Sequence, residues 1–470
     1  MISAAAHQTS FFYLCFAEEA EKLTSPELRA LEPLLADEGT IQIVREALGR
    51  RSPRSRDKGR PGMSPDRLLR CCVLKHIKGW SLRETQEEIR ANLVYRNFTH
   101  YYDGSVPDFS TLSRNFALLG DVQLRRIHDR VMDHARDAKL ARGGKLRVDT
   151  TVVEANIHHP TDSSLLGDGI RVLTRGLRRV AELVLPGSVE VVDHTRMVSH
   201  RLLEIQRAAK SKAADKAERM QGAYRKLLSV ARSAVQQACD VGEQLWDGTL
   251  DVVGSPVKVL VAAAQLEHYV PLVSRVARQT QARIFEGCLH FPDKLVSLFE
   301  PHTAVICKGK KHKPVEFGRL VRLDEVENGL VSDWAVAEGA ASDQGQWEPA
   351  LKAHQERFGK APRMATADRG MQSAANEDAA AKAGVKRVVL PARGRLTEER
   401  RALQSQRWFR QGMRWRAGIE PTIARLKHCC GMARAMYKQA AGFTRHVGWC
   451  IIANNLMAVA RRKTGKSRRE

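Results

Sequence analysis

Gly143-Gly144-Lys145-Leu146-Arg147-Val148-Asp149-Thr150-Thr151-Val152-Val153 is the stretch on which the fold turns. Two glycines open a turn, and the run after them is short and rich in β-branched residues, the composition of a strand. An acid, Asp149, lies inside it. Upstream the pattern is helical: Leu68, Leu69, Cys72, Val73 and Ile77 recur at helical spacing, Lys78-Gly79-Trp80 interrupts them, and Ser81-Leu82-Arg83-Glu84 has the form of a capping box. A third helix is expected from near Ser110, giving a small helical unit with Arg83, Arg90, Arg96 and Arg114 on its surface. A DNA-binding tri-helical module and a plain packing domain fit that pattern equally. Residues 1–50 suggest short helices, and 49–61 (GRRSPRSRDKGRP) a basic breaker, either a linker or a phosphate-contacting arm.

Downstream, residues from about 168 to 298 return to helix and read as an inserted subdomain. Strands are expected at 303–307, 315–323, 330–337, 363–367 and 386–390, with a helix over 347–358. Asp368-Arg369-Gly370 stands at the end of the fourth of these strands. Helix then dominates from Glu398 to a basic tail. The expected class is α/β (α+β): a mixed sheet flanked by helices, with an N-terminal helical domain and a helical insertion after the first acid-bearing strand. The corresponding boundaries are 1–62 for a helical segment and linker, 63–140 for the candidate DNA-binding domain, 141–165 with 300–460 for the sheet domain, 166–299 for the insertion and 461–470 for the tail.

With 470 residues the chain is long enough for more than one core. Its 77 Lys plus Arg against 53 Asp plus Glu leave a net charge of +24, which attracts polyanions, nucleic acid first among them; a merely solvated basic surface is the plain alternative. No apolar stretch is long enough to span a membrane, and the aromatic run from Phe11 to Phe16 is short and soon followed by acids. Nine cysteines, an odd number without a CxxC spacing, point to reduced thiols in a cytoplasm rather than a disulfide framework or structural zinc.

Phosphodiester cleavage by two cations needs carboxylates gathered around ions about 4 Å apart. Asp149 within one strand and Asp368 at the end of another can meet if the strands are neighbours. A third candidate, Glu420, lies in Arg414-Trp415-Arg416-Ala417-Gly418-Ile419-Glu420-Pro421 and onward to Lys427. At about 100° per residue, Glu420 falls roughly 40° and Lys427 roughly 20° from Arg416 around a helix axis, so the three share a face. Pro421 requires either a helix starting near Ile419 or a kink. On spacing alone, a charged surface helix is the preferred reading.

The block from Leu146 to Asn156, then Ala367-Asp368-Arg369-Gly370, then Arg416, Glu420 and Lys427 at these intervals together resemble the DDE-type insertion-sequence transposases, in particular the ISNCY-like group. Segments 307–318 and 65–116 are similar to that group as well, so the resemblance spans most of 65–460. It implies an RNase H-like sheet with Asp149, Asp368 and Glu420 as catalytic ligands of two Mg2+ ions, Mn2+ being able to substitute. Arg416 and Lys427 would hold DNA phosphates, with Arg369, Arg414, Arg83 and Arg114 as further DNA contacts. The implied activity is cleavage at terminal inverted repeats and transfer of the freed 3′-hydroxyl into target DNA, by a homodimer working at the bacterial nucleoid. A nuclease or resolvase without strand transfer, and a non-catalytic DNA-binding descendant, are the alternatives. The related signature usually has Tyr three residues before the Arg; here Met413 stands there.

His158 and His159 read as loop residues, since adjacent side chains diverge. Glu154, Asp324, Glu325 and Asp343 are reserve carboxylates, expected on solvated surface. Trp408 and Trp415, among arginines, could stack on bases or pack in a core. The tail is expected to touch DNA without regard to sequence.

Overall fold

Helix after helix in the first part of the chain starts on a side chain that caps it. Following α1 (Phe11–Leu23), Ser25 caps α2 (Pro26–Leu35), Asp37 caps α3 (Glu38–Gly49), Ser64 caps α4 (Pro65–Lys78) and Ser81 caps α5 (Leu82–Ala91). Asn92 and Asp108 do the same for α6 (Leu93–Phe98) and α7 (Phe109–Ala117), and α8 (Asp121–Asp137) completes the set. Each capping oxygen satisfies an amide that the helix leaves unpaired. The expected capping box forms, Glu84 N–H donating to Ser81 Oγ and Ser81 N–H to Glu84 Oε2. Gly79 ends α4 at φ +68°, a conformation glycine takes at no steric cost.

This is a computed structural model; it describes residues 11–51, 62–307, 314–339 and 341–465. Most of the basic breaker (52–61), the part of the 307–318 block from 308 to 313, and the tail from 466 lie outside the described residues. The chain divides into two compact units, Met1–Asn156 with Gly318–Glu470, and Ile157–Phe317.

The second unit holds α9 (Asp162–Ala181), α10 (Thr195–Lys210), α11 (Lys216–Trp246) and α12 (Pro256–Phe285), followed by a short strand, β2 (Ala304–Cys307), where β1 is Lys145–Ala155 of the first unit. α9 and α12 approach closely because two glycines of α9 carry no side chain: a Cβ on Gly169 would meet Val273 at 2.8 Å, and one on Gly176 would meet Leu266 at 2.6 Å. The unit extends on both sides of the 166–299 expected from the sequence. Its start is set by Thr161, which caps α9, and by buried Asp162, which pairs with Arg283 at 3.0 Å.

In the first unit β1 lies between β3 (Val315–Glu325), antiparallel to it, and β5 (Met364–Ala367), parallel to it. β4 (Val331–Val336) pairs antiparallel with β3, β6 (Arg387–Val389) pairs parallel with β5, and β7 (Arg434–Ala435) runs beside the end of β1. Strand alternation gives β1 two faces. Leu146 and Val148 join Ala365 and Ala367 under Trp347 and Leu351 of α13 (Trp347–Phe358). Val153, with Val321 and Leu323, packs on the opposite face against Leu426 of α17 (Ile419–His428) and Phe443, Val447 and Ile451 of α18 (Gln439–Lys463). The architecture is the expected mixed sheet flanked by helices. The N-terminal helices, however, do not form a core of their own: Leu68, Leu69, Leu74, Leu124 and Met132 share one with Trp449, Ile452 and Leu456 of α18.

Candidate active site

Asp149 and Asp368 stand side by side. The parallel register of β1 and β5 pairs Lys145 with Met364 and continues to Val148 with Ala367, so the next residue on each strand is one of the two aspartates. Adjacent strands run about 4.8 Å apart, and parallel neighbours in register point to the same face. On β1 that face also carries Arg147 and Val153. Each carboxyl is turned by a nearby amide: Thr150 N–H donates to Asp149 Oδ1, and Gly370 N–H to Asp368 Oδ1, both at 2.7 Å.

The helix that carries Glu420 packs on the same face of the sheet. α16 (Arg407–Ala417) ends at Gly418 and α17 starts at once, with Pro421 in its first turn, where a missing amide hydrogen costs nothing. Arg416 and Glu420 therefore sit on successive helices, yet still pair at 3.7 Å. One turn beyond Glu420, Ile423 packs on the core that contains Val153. The Glu420 side chain itself is 68% exposed. Among the described residues, no three His, Cys, Asp or Glu side chains are gathered closely enough to hold a metal ion, so Glu420 does not join the two aspartates here.

A buried network fastens the α16–α17 junction to β1. The Arg147 guanidinium donates to Trp415 O and to the Glu325 carboxylate, and Glu325 is also bonded by Thr422 of α17. Gly418 lies against Arg147 with no room for a Cβ between them. Burial pushes the Glu325 carboxyl above its usual range, and the adjacent Arg147 charge opposes that rise. Glu325 is thus not the solvated acid expected from the sequence. Nor is Asp324, fully buried on the other face with Arg322, which also pairs with Asp333 at 2.8 Å. Glu154 pairs with Arg434 at 2.9 Å.

Asp343, the last reserve carboxylate, is half-buried and lies between the turn after β5 and Thr150, whose side chain is on the face of β1 opposite to Asp149. Thr150 Oγ1 donates to Asp343 Oδ1 at 2.6 Å, and Gly370 is within reach of its other oxygen. The sequence marks it only as a reserve carboxylate on solvated surface, because the local Ser-Asp-Gln-Gly pattern looks like an ordinary loop. His158 is an exposed neighbour of Asp168 and Ser164, and the His159 ring packs on Phe317.

The cations divide into two groups. Arg369 and Arg414 are exposed, and Lys427 and Arg416 are half-buried beside Glu420's helix. In the N-terminal helices, Arg83 lies over the Phe109 ring at 3.7 Å and Arg114 is exposed on α7 with a bond to Thr111 Oγ1. Arg96 instead spends its guanidinium on the carbonyls of Tyr102 and Gly104, which makes it a clamp for the loop after α6. Trp408 and Trp415 pack, with Phe409 and Met413, against Met364 and Val389 of the sheet, so core packing claims both tryptophans. Met413 fills part of that cluster in the place where the related signature has Tyr.

Residues 18–118 match the family model described as Transposase domain (DUF772), and residues 325–456 match that described as Transposase DDE domain. No curated protein and no solved structure matches the chain. The second matched segment contains Asp368 and Glu420. Among the described residues no helix is long and apolar enough to cross a membrane.

Proposed function

Since the chain carries both domains of an insertion-sequence DDE transposase, an enzyme family with an RNase H-like fold that acts on DNA and generally uses divalent metal ions, we propose that it cuts DNA at the ends of a mobile element and joins the freed 3′-hydroxyl to target DNA. The observation that carries this reading is the placement of Asp149, within β1, abreast of Asp368, at the end of the parallel strand β5. Two carboxylates on a rigid sheet form a hard-oxygen donor set of the kind that suits Mg2+ or Mn2+. Asp149, Asp368 and Glu420 would hold the ions. Bound there, the cations supply activation of the attacking hydroxyl and relief of charge on the leaving oxygen.

Glu420 completes the set by exchanging partners. Its contact with Arg416 is long and exposed on the Glu420 side, a kind of ion pair worth under about 1 kcal/mol, so little opposes its opening. A DNA phosphate that takes the Arg416 guanidinium releases Glu420 toward the aspartates, which couples the arrival of DNA to completion of the site. Lys427, Arg414 and Arg369 add phosphate contacts around it, and Arg83 and Arg114 hold the duplex further out. Two copies, one for each element end, form the working assembly.

The test uses the full chain, Mg2+ and a duplex bearing the terminal repeats that flank the coding segment. Nicking that leaves a 3′-hydroxyl, followed by joining of pre-cut ends to a plasmid, is expected; Asp149→Asn and Asp368→Asn each lower the cleavage rate at least 1,000-fold, on the order of 4 kcal/mol in barrier. Wild-type cleavage by either variant refutes the assignment, and cleavage without joining establishes a nuclease.

A further inference from the structure

Three segments meet where β5 ends beside the middle of β1. β1 supplies Asp149 and Thr150, the turn after β5 supplies Asp368 and Gly370, and the segment leading into α13 supplies Asp343. The last is tied down firmly: Asn376 donates through Nδ2 to Gln344 O at 3.0 Å and to Met371 O at 2.7 Å, and Gln344 Nε2 donates to Gln372 O at 3.3 Å. These bonds hold the 343–346 segment against the 369–376 segment, so the position of Asp343 follows that of Asp368.

The Asp343 carboxylate then links the strand that carries Asp149 to the turn that carries Asp368. Its Oδ1 accepts the Thr150 hydroxyl at 2.6 Å, one residue from Asp149. Its Oδ2 and the Oδ1 of Asp368 converge on Gly370: a Cβ there would stand 3.0 Å from the first and 2.8 Å from the second, with Arg393 Nη2 at 3.2 Å. Arg393 is itself oriented, its Nε donating to Arg369 O at 2.8 Å. One oxygen of Asp343 therefore reports to β1 and the other to the turn that carries Asp368.

We infer that Asp343 is a positioning residue for the Asp149/Asp368 pair, one that sets their spacing and adds negative charge which strengthens divalent-cation binding. This rests on the reading of the aspartates as cation ligands. Asp343 acts on them through Thr150 and through the crowded space at Gly370, in the manner of the outer groups whose removal commonly weakens metal binding tenfold or more.

The test is Mn2+ binding to the DNA-free full chain, followed by isothermal titration and by the electron paramagnetic resonance signal of unbound Mn2+. Asp343→Asn is expected to weaken binding about tenfold, with a higher Mn2+ requirement for cleavage and an unchanged circular dichroism spectrum. Thr150→Val, which keeps every charge and removes the hydroxyl that Asp343 accepts from, is expected to weaken it by a smaller factor, and serves if Asp343→Asn does not fold. Wild-type affinity in Asp343→Asn, or in Thr150→Val where only that variant folds, overturns the proposal. Asp149→Asn run beside them separates the two levels: if that variant also binds Mn2+ like the wild type, the reading of the aspartates has failed, whereas its loss of binding with Asp343→Asn unaffected removes Asp343 alone.

Discussion

Gly370→Ala perturbs the proposed site without touching a charge. The backbone tolerates the change, since Gly370 is not among the glycines with positive φ. The new methyl group does not fit so easily: it would lie 2.8 Å from Asp368 Oδ1 and 3.0 Å from Asp343 Oδ2, where ordinary contact begins at 3.4 Å. Asp368 Oδ1 must therefore retreat by about 0.6 Å, and the bond it accepts from the amide of residue 370 is strained in the same movement. A misplacement of about 1 Å at a reacting centre can cost roughly 100-fold in rate, so a shift of this size is expected to slow cleavage about 10- to 100-fold, or about 1.4–2.7 kcal/mol in barrier. The assay is single-turnover cleavage of an element-end duplex at saturating protein, with the Mn2+ dependence followed in parallel. Cleavage by Gly370→Ala at the wild-type rate and with the wild-type Mn2+ dependence would refute the argument that the two carboxylates crowd this glycine.

Arg147→Met leaves Glu325 buried without its charge partner and should cost about 3–5 kcal/mol in urea unfolding, with part of it regained in Arg147→Met/Glu325→Gln; an unchanged midpoint excludes the clamp. Acid should also destabilise the fold. Burial lowers the His354 and His446 rings to about 4, so the unfolded chain binds more protons between pH 6.5 and about 4, and stability falls as pH drops through that window by about 1.4 kcal/mol per unit for each ring. His354→Gln, which keeps a donor for Gly143 O, should show the shallower decline, and an identical slope would count against a neutral buried ring. If Arg114 contacts a phosphate, Arg114→Ala lowers the slope of log affinity against log salt by about 0.9 without changing sequence preference; a retained slope places the residue off the DNA.

Legibility in the sequence followed the range over which each signal acts. β1 could be read because its glycines, β-branched residues and acid are contiguous, and the capping box at Ser81 because both partners lie within one turn. The α13 helix runs from Trp347 to Phe358, as its local pattern predicts. Features made by distant partners were hidden. Glu325 looks like a solvated acid until Arg147, 178 positions earlier, is seen to face it. Asp343 gains its place from a threonine hydroxyl 193 positions away. The joint between Arg416 and Glu420 was only half legible: Pro421 marked a discontinuity, but a helix wheel drawn through it could not reveal that α16 and α17 are separate helices. The cationic surface gave the class of partner, yet composition alone could not tell exposed Arg114 from Arg96, whose guanidinium is consumed by backbone carbonyls.

The shared core of α18 bears on how such a chain handles DNA. One side of this helix, through Trp449, Ile452, Leu456 and Val459, completes the core of the N-terminal helices; another, through Phe443, Val447, Cys450 and Ile451, covers the sheet face on which Asp149 lies. Each fully buried side chain of this size contributes about 1.5–3 kcal/mol, so neither face can be parted from α18 cheaply. Direct bonds reinforce it: Asn455 accepts from Val331 N–H of β4 and donates to Val331 O, and the His128 ring of α8 reaches the same carbonyl. The helices that carry Arg83 and Arg114 are therefore built into the same body as the acids instead of swinging on a linker. On the proposed reading, a duplex held by those arginines would meet the aspartates at a distance fixed by packing, which would leave the adjustable part of the site to Glu420, the one acid of the three on an exposed helix turn rather than on the sheet.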